Sequence, residues 1–486
     1  MENFKYYNHL GFHNPYFIKK DNSIIVNSSF EDIISEVPSN ERFLDFSSVV
    51  EVFSKGFCFG DRTLIKGVNK TPWMAKPNQD YSDWDYFTLP SPSPVLLNEI
   101  EVAEQFYNLL EQEIMNYVNP HKNIGILLTG GMDSRIVAAV LNNLIKQNKV
   151  SIKQVYAYTW GAEDSRDVVY ASRIAEKYNW SWKHLVVDQD QMMLNCELAI
   201  LNGCEYTPLH LHAMSKVSDE THLDCILAGS FGDSVGRAEF SGRKVNELTS
   251  LDGGITNIGG LLRSDFYLLS KNDISNDIKR YHELFPQNLL YKQYEQDQQL
   301  HYMRRMLNAC MSVIDAKIPL YQAFTDPSVF SFMWALDPAI RTDNIYLNIL
   351  KSKAPELMEF NWARTGLQYP LRHGEGDLYK KKHHDYGQMI RKFFLQKIDQ
   401  AISKNKDNAK VLFNISSIDN LIKNLQRYPM NGKYMFEEKL LYIAQVLIFI
   451  DRFNVQIELP SKNLDLLVSF KEDLKYKARF LHSKIR

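Results

Sequence analysis

Hydrophobic and polar positions in the middle of the chain switch between two periods. From Asn98 to Tyr117, apolar residues recur at Ile100, Val102, Phe106, Leu109, Leu110, Ile114 and Tyr117, the spacing of a helix with one buried face. Ile124–Leu128 follows as an unbroken apolar run closed by Thr129-Gly130-Gly131, which predicts a strand buried on both sides of a parallel sheet. Ser134–Leu144 returns to helical spacing through Ile136, Val137, Val140, Leu141 and Leu144. Val155–Thr159 predicts the next strand, Asp167–Tyr178 the next helix, and His184–Val187 and Cys225–Leu227 two further strands. This alternation predicts an α/β fold with a doubly wound parallel sheet.

The flanks carry weaker patterns. Residues 1–70 mix short β-like runs (Ser23–Val26, Gly56–Phe59) with turn signals such as Gly60-Asp61. Asn69–Pro94 holds prolines at 72, 77, 90, 92 and 94 among Ser, Asp and Asn, and reads as a linker or extended excursion. A boundary is therefore expected near residue 95, separating a small α+β unit (1–95) from a main unit (96–486). The main unit is expected to be helical from about residue 261, with Met389–Ile402 and Phe436–Phe453 as the clearest periods.

Composition narrows the class. A 486-residue chain that is 45% hydrophobic and 23% charged has the make-up of an ordinary globular protein with ample core. Its 56 basic and 58 acidic residues leave a net charge of -2, so no global field draws it to nucleic acid or a membrane. Cys58, Cys196, Cys204, Cys225 and Cys310 show no CxxC or zinc-finger spacing, and their odd number argues for buried, reduced thiols. Met1–Lys20 has no apolar stretch of the signal-peptide kind, and Leu440–Ile450, about 11 residues, is too short to span a bilayer. A cytoplasmic location is the expectation.

The chemistry concentrates where the first buried strand ends. Glycines at 130 and 131 let the backbone approach a ligand closely. The amides of the following helix start lie at the positive end of its dipole. Ser134 adds a hydroxyl, and Asp133 can hold the Mg²⁺ that a polyphosphate brings with it. The glycine pair is expected to present bare amides to an anion. No lysine follows the glycines, so this is not the longer phosphate loop of common ATPases.

Thr129-Gly130-Gly131-Met132-Asp133-Ser134 resembles the Ser-Gly-Gly-x-Asp-Ser pyrophosphate loop of ATP pyrophosphatases, with a threonine hydroxyl for the serine. Five further segments resemble asparagine synthetases. Asp167-Val168-Val169-Tyr170-Ala171, with Ile174-Ala175 and His184, is similar to the helix and strand after that family's second strand. Leu227-Ala228-Gly229-Ser230-Phe231-Gly232-Asp233-Ser234 resembles its second loop. Asp315-Ala316-Lys317-Ile318-Pro319, with Asp326, is similar to its Glu-Ala-Arg-x-Pro-Phe-Leu-Asp stretch. Lys351–Leu357 and Trp362-Ala363-Arg364 resemble the segment ending in Trp-Arg-x-Lys, and Gly60–Val68 resembles the end of its glutaminase domain.

The resemblance implies an enzyme that joins a small-molecule or peptide carboxylate to AMP, releases pyrophosphate, and then forms an amide. ATP and Mg²⁺ are the implied cofactors. Thr129, Gly130, Gly131, Asp133 and Ser134, with Gly229 and Gly232 of the second loop, would hold the phosphates, and Asp133 and Asp233 the metal. Leu127 and the turn Thr159-Trp160-Gly161 would flank the adenosine. Lys317 and Arg364 are the implied catalytic cations, while Arg135 and Arg237 sit beside the two loops. His184 reads as a packed strand-end histidine.

Two departures shape the expectation. Glutamine-hydrolysing members expose an N-terminal cysteine, whereas residue 2 here is Glu2 and the first cysteine is Cys58. A carboxylate cannot replace a thiolate in amide cleavage. The 1–95 unit is therefore expected to be a degenerate glutaminase remnant, with nitrogen supplied by ammonia, a separate glutaminase or a substrate amine. Ser230 and Ser234 stand where the family has glutamates, which puts the amide-forming step in question. The alternatives are a lactam- or peptide-cyclising relative and a non-catalytic, nucleotide-binding partner protein. Sulfur transfer to tRNA is disfavoured by the missing paired cysteines.

Overall fold

Apolar runs separated by helical periods can bury both their faces only in the middle of a layered structure. The computed structural model describes residues 10, 12–91, 97–237, 250–381, 384–427, 435–458 and 474. Its strands in chain order are β1 (Tyr16–Lys20), β2 (Ser23–Asn27), β3 (Asn69–Lys70), β4 (Ala75–Pro77), β5 (Trp84–Tyr86), β6 (Asn123–Leu127), β7 (Gln154–Trp160), β8 (Ser181–Leu185), β9 (Cys225–Leu227) and β10 (Leu320–Tyr321). The last five form one parallel sheet in the order β10-β9-β6-β7-β8. The fold is α/β.

Alternation along the strands divides the interior in two. Ile124 and Ile126 of β6, Val155 and Ala157 of β7, and Cys225 and Leu227 of β9 face a core shared with the helices Glu99–Val118, Met132–Lys146 and Arg166–Lys177. Leu127, Tyr158, Leu185 and Ile226 face the other core, with Met192 and Ile200 of the helix Gln189–Leu201 and Ile314 of Asn308–Asp315. That second core also takes in Phe30, Val49, Phe53 and Leu64 from the N-terminal region, and Leu440, Ile443 and Phe449 of the helix Met435–Phe453. A helix apolar on nearly every side belongs inside.

Several local expectations need correction. Gly56–Phe59 is not a strand: Gly56, at φ 90°, closes the helix Phe46–Lys55, and Phe57 makes a single bridge to Tyr206. The proline-rich stretch is an ordered excursion carrying β3, β4 and β5. Its Trp73 is buried and donates to the Leu10 carbonyl at 3.2 Å. Pro92, Pro94 and the boundary near residue 95 lie outside the described residues. Strand β8 begins at Ser181, not His184, because an edge strand pairs on one side only and needs no continuous apolar run. The period over Met389–Ile402 is two helices, Tyr386–Phe393 and Leu395–Lys404, broken at Phe394. Among the described residues, no helix is long and apolar enough to cross a membrane.

Candidate functional site

Strand order reverses at β6. From there the chain steps outward to β7 and β8 on one side, and β9 and β10 lie on the other. In such sheets the crevice outside the carboxyl ends, at the reversal, is where ligands bind. The loops leaving β6 and β9 flank this crevice, and glycines bring them into contact. A side-chain carbon on Gly229 would lie 2.9 Å from the Asp133 carbonyl carbon and the Ser134 nitrogen. One on Gly232 would lie 2.7 Å from Asp133 Cβ, 2.8 Å from its Oδ1 and 2.9 Å from Phe324. Only glycine permits this approach.

The helix Met132–Lys146 starts at Gly131 with no side-chain cap, so its first-turn amides face the crevice unclaimed by a capping group. The glycine amides themselves are not bare. Gly130 N–H donates to Asp167 Oδ1 at 3.1 Å and Gly131 N–H to Thr129 Oγ1 at 3.1 Å, while Thr129 N–H donates to Ser134 Oγ at 3.2 Å. A buried turn satisfies its donors internally when no ligand does so. This corrects the expectation for Gly130 and Gly131, and it places Thr129 and Ser134 as braces within the loop.

Among the described residues, Asp133 Oδ1 is a buried acceptor with no hydrogen-bond partner. Its other oxygen accepts from Arg237 Nη2 at 3.4 Å. Asp233 lies close enough to act electrostatically on Arg237 and on Tyr346, as Asp133 does. An orphaned carboxylate oxygen beside a second carboxylate fits a hard divalent cation. Two carboxylates are too few to cage Mg²⁺, which suits an ion whose other ligands come from phosphate and water.

Cations surround the same point. Arg237, Arg364 and Arg372 lie over the Trp362 ring, with Cζ 5.7, 5.0 and 5.2 Å from its centroid. Trp362 is brought there because Ala363 N–H donates to the Gly130 carbonyl at 3.1 Å. Arg135 is different. It is buried and donates to the carbonyls of Leu357 (3.2 Å), Phe360 (2.8 Å), Asn361 (3.0 Å) and Gly130 (3.3 Å), lashing the Leu357–Asn361 segment to the loop. Burial pulls its pKa down to about 10.

With that geometry in hand, the family model described as asparagine synthase matches residues 105–242, the stretch holding both loops. Residues 105–242 therefore carry an asparagine synthase domain by this match. A Methanocaldococcus jannaschii protein named as a glutamine-hydrolysing asparagine synthetase is 21% identical over 184 residues, 36% of this chain and 32% of that one. The glutamine-hydrolysing asparagine synthetase of Gallus gallus is 30% identical over 92 residues, 19% of this chain and 15% of that one. The chain thus spans less than a third of the length of the curated relatives it matches. A U34-tRNA thiolase from Methanococcus maripaludis superposes over 69% of this chain and 82% of that one at a TM-score of 0.26 and 12% identity, a likeness too slight to compare folds.

The other expected residues separate. Thr159 Oγ1 donates to the Leu128 carbonyl at 2.8 Å and accepts from Trp182 at 3.1 Å, which fixes the end of β7 against the end of β6. Leu127 is buried in the core beneath, and Trp160 stacks on His212 at 5.6 Å. The Gly161 carbonyl pairs with His184 Nε2 at 2.7 Å, so His184 holds a turn. Lys317 is not brought to the crevice. It precedes β10, at the opposite end of the sheet, and its 60%-exposed side chain pairs with Asp219 at 2.6 Å. Ser234 accepts from Gln299 at 2.7 Å and donates to the Phe231 carbonyl at 3.2 Å, a buried structural hydroxyl. Gln299 belongs to a rare wide-turned π-helix, Gln298–Leu307, whose His301 accepts from Gly60 N–H at 2.9 Å.

Asp343 and Arg372 were invisible to sequence reasoning. Asp343 accepts from Arg237 Nη1 at 3.2 Å, from Arg372 Nε at 3.2 Å and from the Tyr369 hydroxyl at 3.1 Å. Asp343 opens the helix Asp343–Lys353, where an apolar period gives no hint that its first carboxylate faces inward.

Proposed function

We propose that this chain is an AMP-forming carbon–nitrogen ligase. A carboxylate oxygen attacks the α-phosphorus of ATP, the bond to the bridging oxygen breaks, and pyrophosphate leaves. An amine then attacks the acyl carbon and expels AMP. The observation that carries this reading is Asp133: its buried, unpartnered oxygen sits where two glycine-bearing loops meet at the sheet's reversal, ringed by arginines. Mg²⁺ held by Asp133 and Asp233 would neutralise the departing diphosphate. The protein's own part is to aim the first-turn amides of Met132–Lys146 at the phosphates and to set Arg364 and Arg372 against the developing charge. Leu127 and the Thr159–Gly161 turn would border the adenosine.

The nitrogen source is proposed to be ammonia, a separate glutaminase or an amine on the substrate, as in a cyclising relative. All five thiols are buried, and burial pushes those of Cys196, Cys225 and Cys310 up to about 12 and raises those of Cys58 and Cys204 well above the ordinary thiol value. A thiol held protonated is no nucleophile for glutamine. Residues 1–95 would serve as structure; Arg305 ties Arg62, Gly60 and Glu205 together inside the protein.

A second reading, a nucleotide-binding partner protein, is favoured by the covered Gly130 and Gly131 amides and by Ser234 locked onto Gln299. Exchange of labelled pyrophosphate into ATP, run with Mg²⁺ and a panel of sugar, amino-acid and peptide carboxylates, separates the two. Carboxylate-dependent exchange is expected. ATP binding without exchange for any carboxylate establishes the second reading.

A further inference from the structure

Arg237 is given no step in the scheme above, yet it is a buried cation at the site, 2% exposed. Its guanidinium bridges two carboxylates, Asp133 at 3.4 Å and Asp343 at 3.2 Å, beneath the rings of Tyr346 (5.6 Å) and Trp362 (5.7 Å). Arginine keeps its charge in any protein setting. Burial opposes that charge here, but Asp133 and its other neighbours outweigh burial and raise the pKa. Asp343 also holds Arg372, and Asp233 acts on Arg237 as well, so among the described residues the carboxylates of Asp133, Asp233 and Asp343 face the guanidinium groups of Arg237, Arg372 and Arg364.

That balance decides what can enter. A bare divalent ion approaching Asp133 adds two positive charges beside a guanidinium that cannot lose its own, inside a site where water screens little. The same ion wrapped in a polyphosphate arrives with net negative charge, and then Arg237 and Arg372 attract it. We propose that Arg237 is a charge gate on Asp133, which disfavours free divalent metal and admits it as its polyphosphate complex. The gate rests on the reading of Asp133 as a ligand of a phosphate-bound metal, and it makes Arg237 a specificity-determining residue.

The test is binding of free Mn²⁺, and of Mn²⁺–pyrophosphate, to the full chain by electron paramagnetic resonance. Arg237→Gln keeps hydrogen-bond donors and removes the charge. It is expected to bind free Mn²⁺ on the order of tenfold more tightly than the unsubstituted protein, and Mn²⁺–pyrophosphate on the order of tenfold more weakly. Unchanged or weaker binding of free Mn²⁺ overturns the gate. Should Arg237→Gln fail to fold, Asp343→Asn decides. It leaves Arg237 less compensated, so free Mn²⁺ must bind more weakly still, and tighter binding overturns the proposal. If the unsubstituted protein binds neither probe, the metal reading of Asp133 falls. If it binds Mn²⁺–pyrophosphate and Asp133→Asn abolishes this while Arg237→Gln leaves free Mn²⁺ unchanged, only the gate falls.

Discussion

Gly232→Ala tests the meeting of the two loops. The added carbon would lie 2.7 Å from Asp133 Cβ, 2.8 Å from Asp133 Oδ1 and 2.9 Å from the Phe324 ring. All three separations are closer than side-chain carbons adopt, and Phe324 is completely buried, so it cannot swing aside. The backbone behind Asp133 has no slack either, because Gly229 already packs against it. Overpacking of this kind costs about 1–3 kcal/mol. Alanine returns about 0.4–1 kcal/mol at a glycine whose conformation it can adopt, as at this helical first position. The net loss is on the order of 1–2 kcal/mol, read as a lower urea midpoint at unchanged slope. Because the relief must come largely from moving Asp133, pyrophosphate exchange should fall by on the order of tenfold or more, a cost of about 1.4 kcal/mol at the transition state. A Gly232→Ala protein with the original midpoint and full exchange would refute the contact between the loops.

Asp133→Asn is expected to abolish pyrophosphate exchange while the protein still folds, at a stability cost of about 1–3 kcal/mol because the buried Arg237 loses one of its carboxylate partners; exchange at the original rate removes the residue from the site. Lys317→Ala should change stability by less than about 0.5 kcal/mol and leave exchange intact, because its ion pair is exposed. A collapse of exchange there would restore it as a site cation. Ser234→Ala should cost about 1–2 kcal/mol by stranding the buried Gln299 amide, without lowering exchange, and a large kinetic loss would instead make the hydroxyl catalytic. Native protein at pH 8 should leave all five thiols unlabelled by an aromatic disulfide reagent, with five released on unfolding in denaturant; rapid labelling of Cys58 in the native state would reopen thiol chemistry.

How much of this could be read from the sequence followed from where the information is local. Ile124–Leu128, Val155–Thr159 and Cys225–Leu227 announce the sheet because central strands must be apolar on both faces, whereas β8 at the edge was misplaced. Gly229 and Gly232 were legible as motif residues, but their purpose, letting Asp133 approach, depends on two loops separated by about a hundred residues. Lys317 belongs to a recognisable motif and still misses the site, because it precedes its strand while ligands gather after the strands. The arginine cluster was half seen. Arg364 lies beside Trp362 in sequence, but Arg237, Asp343 and Arg372 meet only through tertiary contacts that no spacing encodes. The proline-rich stretch was readable as either a linker or an extended excursion, and the buried Trp73 decides for the excursion, which composition alone does not.

The most direct measurement is a crystal structure of the chain with Mn²⁺ and pyrophosphate, with the metal located by its anomalous signal. One manganese is expected between the Asp133 and Asp233 carboxylates, with phosphate oxygens at the first turn of Met132–Lys146 and Arg364 and Arg372 turned toward them. Metal and pyrophosphate elsewhere on the protein, with Asp133 still paired to Arg237 alone, would contradict that placement.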